Sequence, residues 1–216
     1  MPRGRFITFE GGEGAGKTTQ IRLLEEALLR SGRKVVAVRE PGGSPLSEKI
    51  RCLLKDFRDD PPLPKTELLL FLAARAQLVE SVIAPALEAG TWVLSDRFGD
   101  STVAYQGYGR GLPLDILKAM DSFACSSLKP DATFLLELPA GEALRRMRSR
   151  EEATGVSADR FETAQGGFHE RVRAGFSEIA RAEPGRVVRV DASGTVEEIS
   201  AFILKSLAEK GFADFA

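Results

Sequence analysis

The chain has 216 residues, with thirty Lys and Arg against thirty-one Asp and Glu and a net charge of −1. That balance creates no global field to recruit nucleic acid or an anionic membrane, so any basic function is local. Two cysteines, Cys52 and Cys125, are too few for a disulfide framework and are expected as reduced, mostly buried thiols. No apolar signal segment follows Arg3 and Arg5, and no eighteen apolar residues run together, so a single soluble, cytoplasmic domain over 1–216 is expected.

Residues 6–9 are bulky and apolar or β-branched and predict a buried strand. Gly11, Gly12, Gly14 and Gly16 follow, and then Lys17, Thr18 and Thr19 open a run with helical spacing to residue 30. Strand, glycine-rich turn and helix are the setting that G-x-x-x-x-G-K-[ST], here residues 11–18, requires. In it the backbone N–H groups of Gly11, Gly12, Glu13, Gly14, Ala15, Gly16, Lys17, Thr18 and Thr19 surround an anion at the positive end of a new helix. A triphosphate fits, with Lys17 reaching its β and γ groups and the Thr18 hydroxyl on a bridging Mg²⁺.

Further along, residues 34–39 predict a strand and 46–54 a short helix. A long apolar helix is predicted over 66–89, with Pro85 kinking its last turns. Residues 91–95 form the next predicted strand. A helix begins at 101–106 and is interrupted by a mobile turn at 107–111. Residues 113–123 are helical, 132–138 a strand and 140–150 an arginine-rich helix. A surface loop follows at 151–159, then a helix over 161–182, a strand over 187–190 and a closing helix over 196–210. Strands alternating with helices predict an α/β fold, a five-stranded parallel sheet with helices on both faces.

Glu40, Arg51, Asp96 and Arg97 fall at or just beyond strand ends, where an open parallel sheet binds ligands. Asp96 reads as a carboxylate on Mg²⁺, with a helix N-cap as the plainer alternative. Arg51 and Arg97 present planar forks suited to a second, acceptor phosphate. Phe71 and Arg75 share a helix face. Arg75 lies amid FLAARAQLV, where a buried guanidinium needs acceptors. A base stacked on Phe71 with its carbonyl edge on Arg75 would supply them, as would an ion pair with Glu80 or Glu48. The arginines of 145–150, with Arg160, read either as a solvated helix face or as a lid over about 146–161 that lowers charge onto a transferred phosphoryl group.

Together FEGGEGAGKTT at the start, REPGG (39–43), FLAARAQ (71–77), SDRF (95–98), STVAYQG (101–107) and DRFE (159–162) closely resemble the thymidylate kinase family. The resemblance implies a P-loop NTPase fold and transfer of the ATP γ-phosphoryl to dTMP, with Mg²⁺. It places Phe71, Arg75, Ser101 and Gln106 around thymine, Tyr105 against the sugar 2′ position and Glu13 near the 3′-hydroxyl. Glu40 joins the acceptor pocket, and Arg51 and Arg97 hold the acceptor phosphate. Position 13 is not arginine, so the resemblance is to the bacterial type, in which the lid supplies the cation; Arg146, Arg150 and Arg160 are its candidates. A homodimer built on the apolar helix at 66–89 is also implied. A deoxynucleoside kinase, with Glu13 or Glu40 as base, is the nearest rival. A nucleotide switch is disfavoured because D-x-x-G (191–194) follows the last strand and no N-K-x-D occurs.

Overall fold

The computed structural model describes residues 3–56, 60–154 and 167–212. In order these form β1 (Phe6–Gly11), α1 (Lys17–Arg30), β2 (Val35–Arg39), α2 (Pro45–Asp56), α3 (Pro64–Leu78), a π-helical turn (Val79–Ile83) and α4 (Ala84–Glu88). Then come β3 (Trp92–Asp96), α5 (Gly99–Thr102), a second π-helical segment (Val103–Gly109), α6 (Leu114–Ala124), β4 (Ala132–Glu137), α7 (Ala140–Thr154), α8 (Phe168–Ala182), β5 (Val187–Asp191) and α9 (Val196–Glu209).

All the paired strands are parallel, in the order β2-β3-β1-β4-β5. Successive strand side chains point to opposite faces, and β1 shows how that builds two layers. Ile7 and Phe9 pack with Leu24 and Leu28 of α1 and Ile199 and Ile203 of α9. Phe6 points the other way, to Leu78, Val79, Ile83 and Leu87. A further cluster joins Tyr105 and Leu135 to Phe168, Val172 and Phe176 of α8. The helices therefore cover both faces, as the alternating pattern predicts. Thr195 and Glu198 close a reciprocal capping box at the start of α9, which fixes where that helix begins beside the sheet.

The register sets the site. Phe9 lies opposite Asp96 on β3 and Gly11 opposite Leu136 on β4, so the glycine-rich turn leaves β1 beside the Asp96-Arg97 step. Gly11 has φ +126, and a Cβ there would lie 2.2 Å from the Leu136 carbonyl oxygen, so only glycine permits the exit.

Several expectations need correction. The long helix expected over 66–89 is not one continuous α-helix up to Pro85. Lacking an N–H and crowding the turn before it, Pro85 sits at the start of α4, and the preceding residues widen into the Val79–Ile83 π turn. The mobile turn expected at 107–111 is mostly helical. A Cβ on Gly109 would meet Phe168 Cε2 at 2.6 Å and one on Gly107 would meet Leu114 Cδ2 at 2.5 Å, so these glycines permit close packing. The arginine-rich helix continues to Thr154, through the first part of the predicted loop. The helix expected from 161 is described from Phe168, after Gly167 in the left-handed conformation. Of the two free cysteines, Cys125 is buried and Cys52 exposed.

Candidate active site

Lys17 begins α1 directly after Gly16, whose φ of +88 turns the chain into the helix. Its ammonium is nearly buried and donates to the Gly12 carbonyl at 2.8 Å and the Gly11 carbonyl at 3.3 Å. Burial, and then the Arg97 charge, hold its pKa below the usual lysine value. A lysine parked on two loop carbonyls is a cation poised to exchange them for phosphate oxygens. The loop itself rests on α7: a Cβ at Gly14 would lie 3.0 Å from the Ala143 carbonyl oxygen.

Arg97 links this cradle to the next strand. Its backbone is left-handed, φ +74, an unusual state for a residue with a Cβ. Its guanidinium donates to the Gly11 carbonyl at 2.9 Å, to Glu13 Oε1 at 2.5 Å and to Ser101 Oγ at 3.2 Å, and lies 5.1 Å from the centre of the Tyr105 ring. Burial acts to lower its pKa, but the carboxylates of Glu13, Asp96 and Glu10 are among the groups that keep it raised and the group charged. Burial pushes the Tyr105 phenol up to about 12, so it stays neutral.

Phe71 and Arg75 sit one turn apart on α3, as the spacing requires. Arg75 is almost fully buried. Its partners are neither Glu80 nor Glu48: Nε and Nη2 donate to Glu40 Oε2 at 2.8 and 2.6 Å, and Nη1 donates to Asp121 on α6. Arg39 takes Glu48 instead. Burial raises the Glu40 pKa against the opposing pull of Arg75. Glu40 Oε1 is buried without a hydrogen-bond partner among the described residues. Arg51 donates to the Pro41 carbonyl at 2.7 Å, and Gln106 to the buried Glu67 carboxylate at 2.8 Å, which Arg110 also pairs.

One cleft of about 1240 Å³ collects these groups. Its lining brings together Glu13, Glu40, Arg51, Phe71, Arg75, Arg97, Ser101, Tyr105 and Gln106 with Gly14, Ala15, Gly16, Lys17, Thr18, Thr19, Asp96 and Arg146. Gly11 and Gly12 border the neighbouring cavity behind the loop. Arg146 is half-buried and bonds Glu142 at 3.2 Å. Arg150 lies in the last turns of α7 with its side chain outside what is described, and Arg160 lies outside the described residues. The cleft continues past α1 to Gly194, Thr195, Val196 and Ile199, a wall that sequence reading did not identify. There Gln20 donates to the Val196 carbonyl at 3.0 Å.

Thr18 donates to Asp96 Oδ2 at 2.9 Å at the mouth of the cleft. Hard oxygen donors in small number suit Mg²⁺, which keeps several waters and completes its shell with phosphate oxygens. No group of three or more His, Cys, Asp or Glu side chains that could hold a metal gathers among the described residues.

The sequence reading passed over Glu10. It is fully buried at the end of β1, and the signal was there: a carboxylate inside an otherwise apolar strand. Its Oε1 accepts from the N–H groups of Phe98 (2.8 Å) and Ser101 (3.2 Å), and its Oε2 lies 2.5 Å from Ser101 Oγ. Burial, then Asp100, push its pKa up to about 7. A carboxyl raised in the folded state favours folding most below its unfolded pKa, and that contribution is lost as pH rises through the folded value. Measured by urea unfolding from pH 5 to 8, Glu10→Gln should therefore gain stability relative to the parent by roughly 2 to 3 kcal/mol. A difference independent of pH would show that Glu10 titrates normally.

Comparison with known proteins places this geometry in a family. The thymidylate kinase family model matches residues 9–203. The thymidylate kinase of Pelobacter propionicus is 50% identical over 207 residues, covering 95% of this chain and 94% of the relative. That of Citrifermentans bemidjiense is 47% identical over 208 residues, covering 96% and 92%. Among solved structures, thymidylate kinase from Ehrlichia chaffeensis superposes with a TM-score of 0.76 at 33% identity, covering 95% of this chain and all of that one. With its phosphate loop, Asp96-Arg97 step and Phe71/Arg75 helix in one cleft, the chain belongs to the thymidylate kinase family.

Proposed function

We propose that the chain transfers the γ-phosphoryl group of ATP to dTMP, giving dTDP and ADP. The observation that carries this reading is the placing of two cationic cradles across one cleft. Lys17 stands on the loop carbonyls, and Arg97 is bonded both to that loop and to Glu13. The acceptor is a phosphate monoester, already ionised near neutral pH, so no general base is needed. Catalysis is then positioning and charge neutralisation.

Each residue has a part in that scheme. Lys17 leaves the Gly11 and Gly12 carbonyls for the β and γ phosphates, and Arg97 and Arg51 hold the acceptor phosphate in line. Phe71 stacks on thymine, while Arg75, Ser101 and Gln106 surround the base within the buried network of Glu40, Asp121 and Glu67. Tyr105 occupies the space a 2′-hydroxyl would need, and Glu13 approaches the 3′-hydroxyl. Thr18 and Asp96 would hold Mg²⁺, which would supply positive charge to neutralise the donor phosphates. Arg146 lines the cleft and supports a lid role for the segment at about 146–161 of this single domain; Arg150 and Arg160 are its further candidates.

The same reading favours a cytoplasmic homodimer. The helical stretch Pro64–Glu88, though interrupted by charged residues, is long and apolar enough on average to cross a membrane by length and composition, yet Arg75 within it is buried in an ion network with Glu40 and with Asp121 of α6. Leu69 on that run is 54% exposed, and on α6 Ile116 is 55% and Phe123 90% exposed. Such an apolar surface supports burial against a second copy.

Two experiments test these readings. Lys17→Ala should lower turnover at least a hundredfold in a coupled assay with a panel of monophosphates. Retention of more than a tenth, or faster transfer to thymidine than to dTMP, would contradict the reading. In detergent-free buffer the protein should sediment at twice its chain mass, and Phe123→Asp should shift it toward the monomer. A parent that sediments as a monomer at micromolar concentration would refute the dimer.

A further inference from the structure

We propose that Glu10 is a positioning residue for the acceptor phosphate: its carboxyl clasps the Phe98–Ser101 turn and thereby holds Arg97 in its left-handed conformation. The inference rests on the reading that Arg97 holds that phosphate. Glu10 itself is fully buried and reaches neither the cleft lining nor the reacting atoms.

The geometry is specific. Glu10 Oε1 accepts two backbone N–H groups, from Phe98 immediately after Arg97 and from Ser101 in the first turn of α5. Phe98 N–H lies at the N-cap, ahead of the helix's own hydrogen-bond ladder, while Ser101 N–H is shared between Glu10 Oε1 and the Phe98 carbonyl at 3.0 Å. On the strand side, Arg97 N–H donates to the Phe9 carbonyl at 3.0 Å and Ser95 Oγ donates to the Arg97 carbonyl at 2.7 Å. The strained residue is thus fastened before and after itself, with Glu10 supplying the fastening after it. Glu10 also reaches the Arg97 guanidinium through one hydroxyl: Ser101 Oγ lies 2.5 Å from Glu10 Oε2 and accepts from Arg97 Nη1 at 3.2 Å.

The charged groups facing Glu10 are Asp100 and Arg97 from the turn and α5, and Lys17 from α1. Asp100 is itself neutralised by a two-pronged pair with Arg186, at 2.7 and 2.9 Å. The turn is therefore pinned to the sheet from two sides. Both N–H groups go to Oε1, an acceptor that an amide also provides, so the clasp depends on the acceptor atom rather than on net charge.

The test compares Glu10→Ala, Glu10→Asp and Glu10→Gln in the full chain, with Arg97→Ala as reference. It reads KM for dTMP, KM for ATP and the inhibition constant of thymidine, which lacks the phosphate. Glu10→Ala should raise KM for dTMP about tenfold or more while the thymidine and ATP constants move less than threefold. Glu10→Gln should restore KM for dTMP to within about threefold of the parent, because its carbonyl oxygen accepts both N–H groups. If Glu10→Ala fails to fold, Glu10→Asp, too short to span both donors, should show the same selective loss. Parallel weakening of dTMP and thymidine, or a Gln variant no better than Ala, would overturn the clasp. If Arg97→Ala lowers dTMP affinity selectively and the Glu10 variants do not, the inference alone fails. If Arg97→Ala spares dTMP selectively, the phosphate reading and the inference fall together.

Discussion

The pairing of β1 with β3 is the constraint on which the rest of this structure depends. Because Phe9 lies opposite Asp96, the phosphate loop and the Asp96-Arg97 step leave the sheet side by side. Thr18 then meets Asp96, and Arg97 meets Gly11 and Glu13. A one-residue slip would turn every side chain of β3 to the opposite face and separate these pairs. Core packing enforces the register: Phe6 and Phe9 point to opposite helix layers, and neither layer can release its aromatic ring without opening a cavity worth several kcal/mol.

Around that seam charged side chains gather into ion-pair groups, each with at least one largely buried member. Glu40, Arg75 and Asp121 make one, Glu67, Gln106 and Arg110 another, and Asp100, Arg186 and Glu183 a third. Buried ions of this kind add little net stability once desolvation is counted, but breaking one partner is costly. Their value here is geometric. Each ties a loop or short helix at the cleft to an element behind it, and so limits where Arg75, Gln106 and the α5 turn can stand.

Much of this was legible in the sequence because it is local. The phosphate loop is defined by consecutive glycines and its Lys-Thr pair, and the helical spacing of Phe71 and Arg75 puts them on one face whatever surrounds them. The alternating strand and helix pattern gave the layer order, since each buried strand reads as a short apolar run. What escaped was long-range or packing-dependent. Arg75 announced that it needed acceptors, yet nothing local selects Glu40 and Asp121, which lie 35 and 46 residues away. The glycines at 107 and 109 looked like breakers because propensity cannot see that Leu114 and Phe168 press against them. Pro85 carried a helix-breaking signal, but the widened turn that absorbs it lies upstream. Glu10 was readable as a carboxylate in an apolar strand, and was hidden by the prominence of the loop beside it.

The central claim is that donor and acceptor phosphates meet between Lys17 and Arg97. A crystal structure with dTMP and an ATP analogue blocked at the β,γ bridge measures this most directly. The account predicts the pyrimidine between Phe71 and Arg75, with its phosphate on Arg97 facing the terminal phosphate held by Lys17. A pyrimidine lodged away from α3, or an acceptor phosphate pointing away from Lys17, would contradict it.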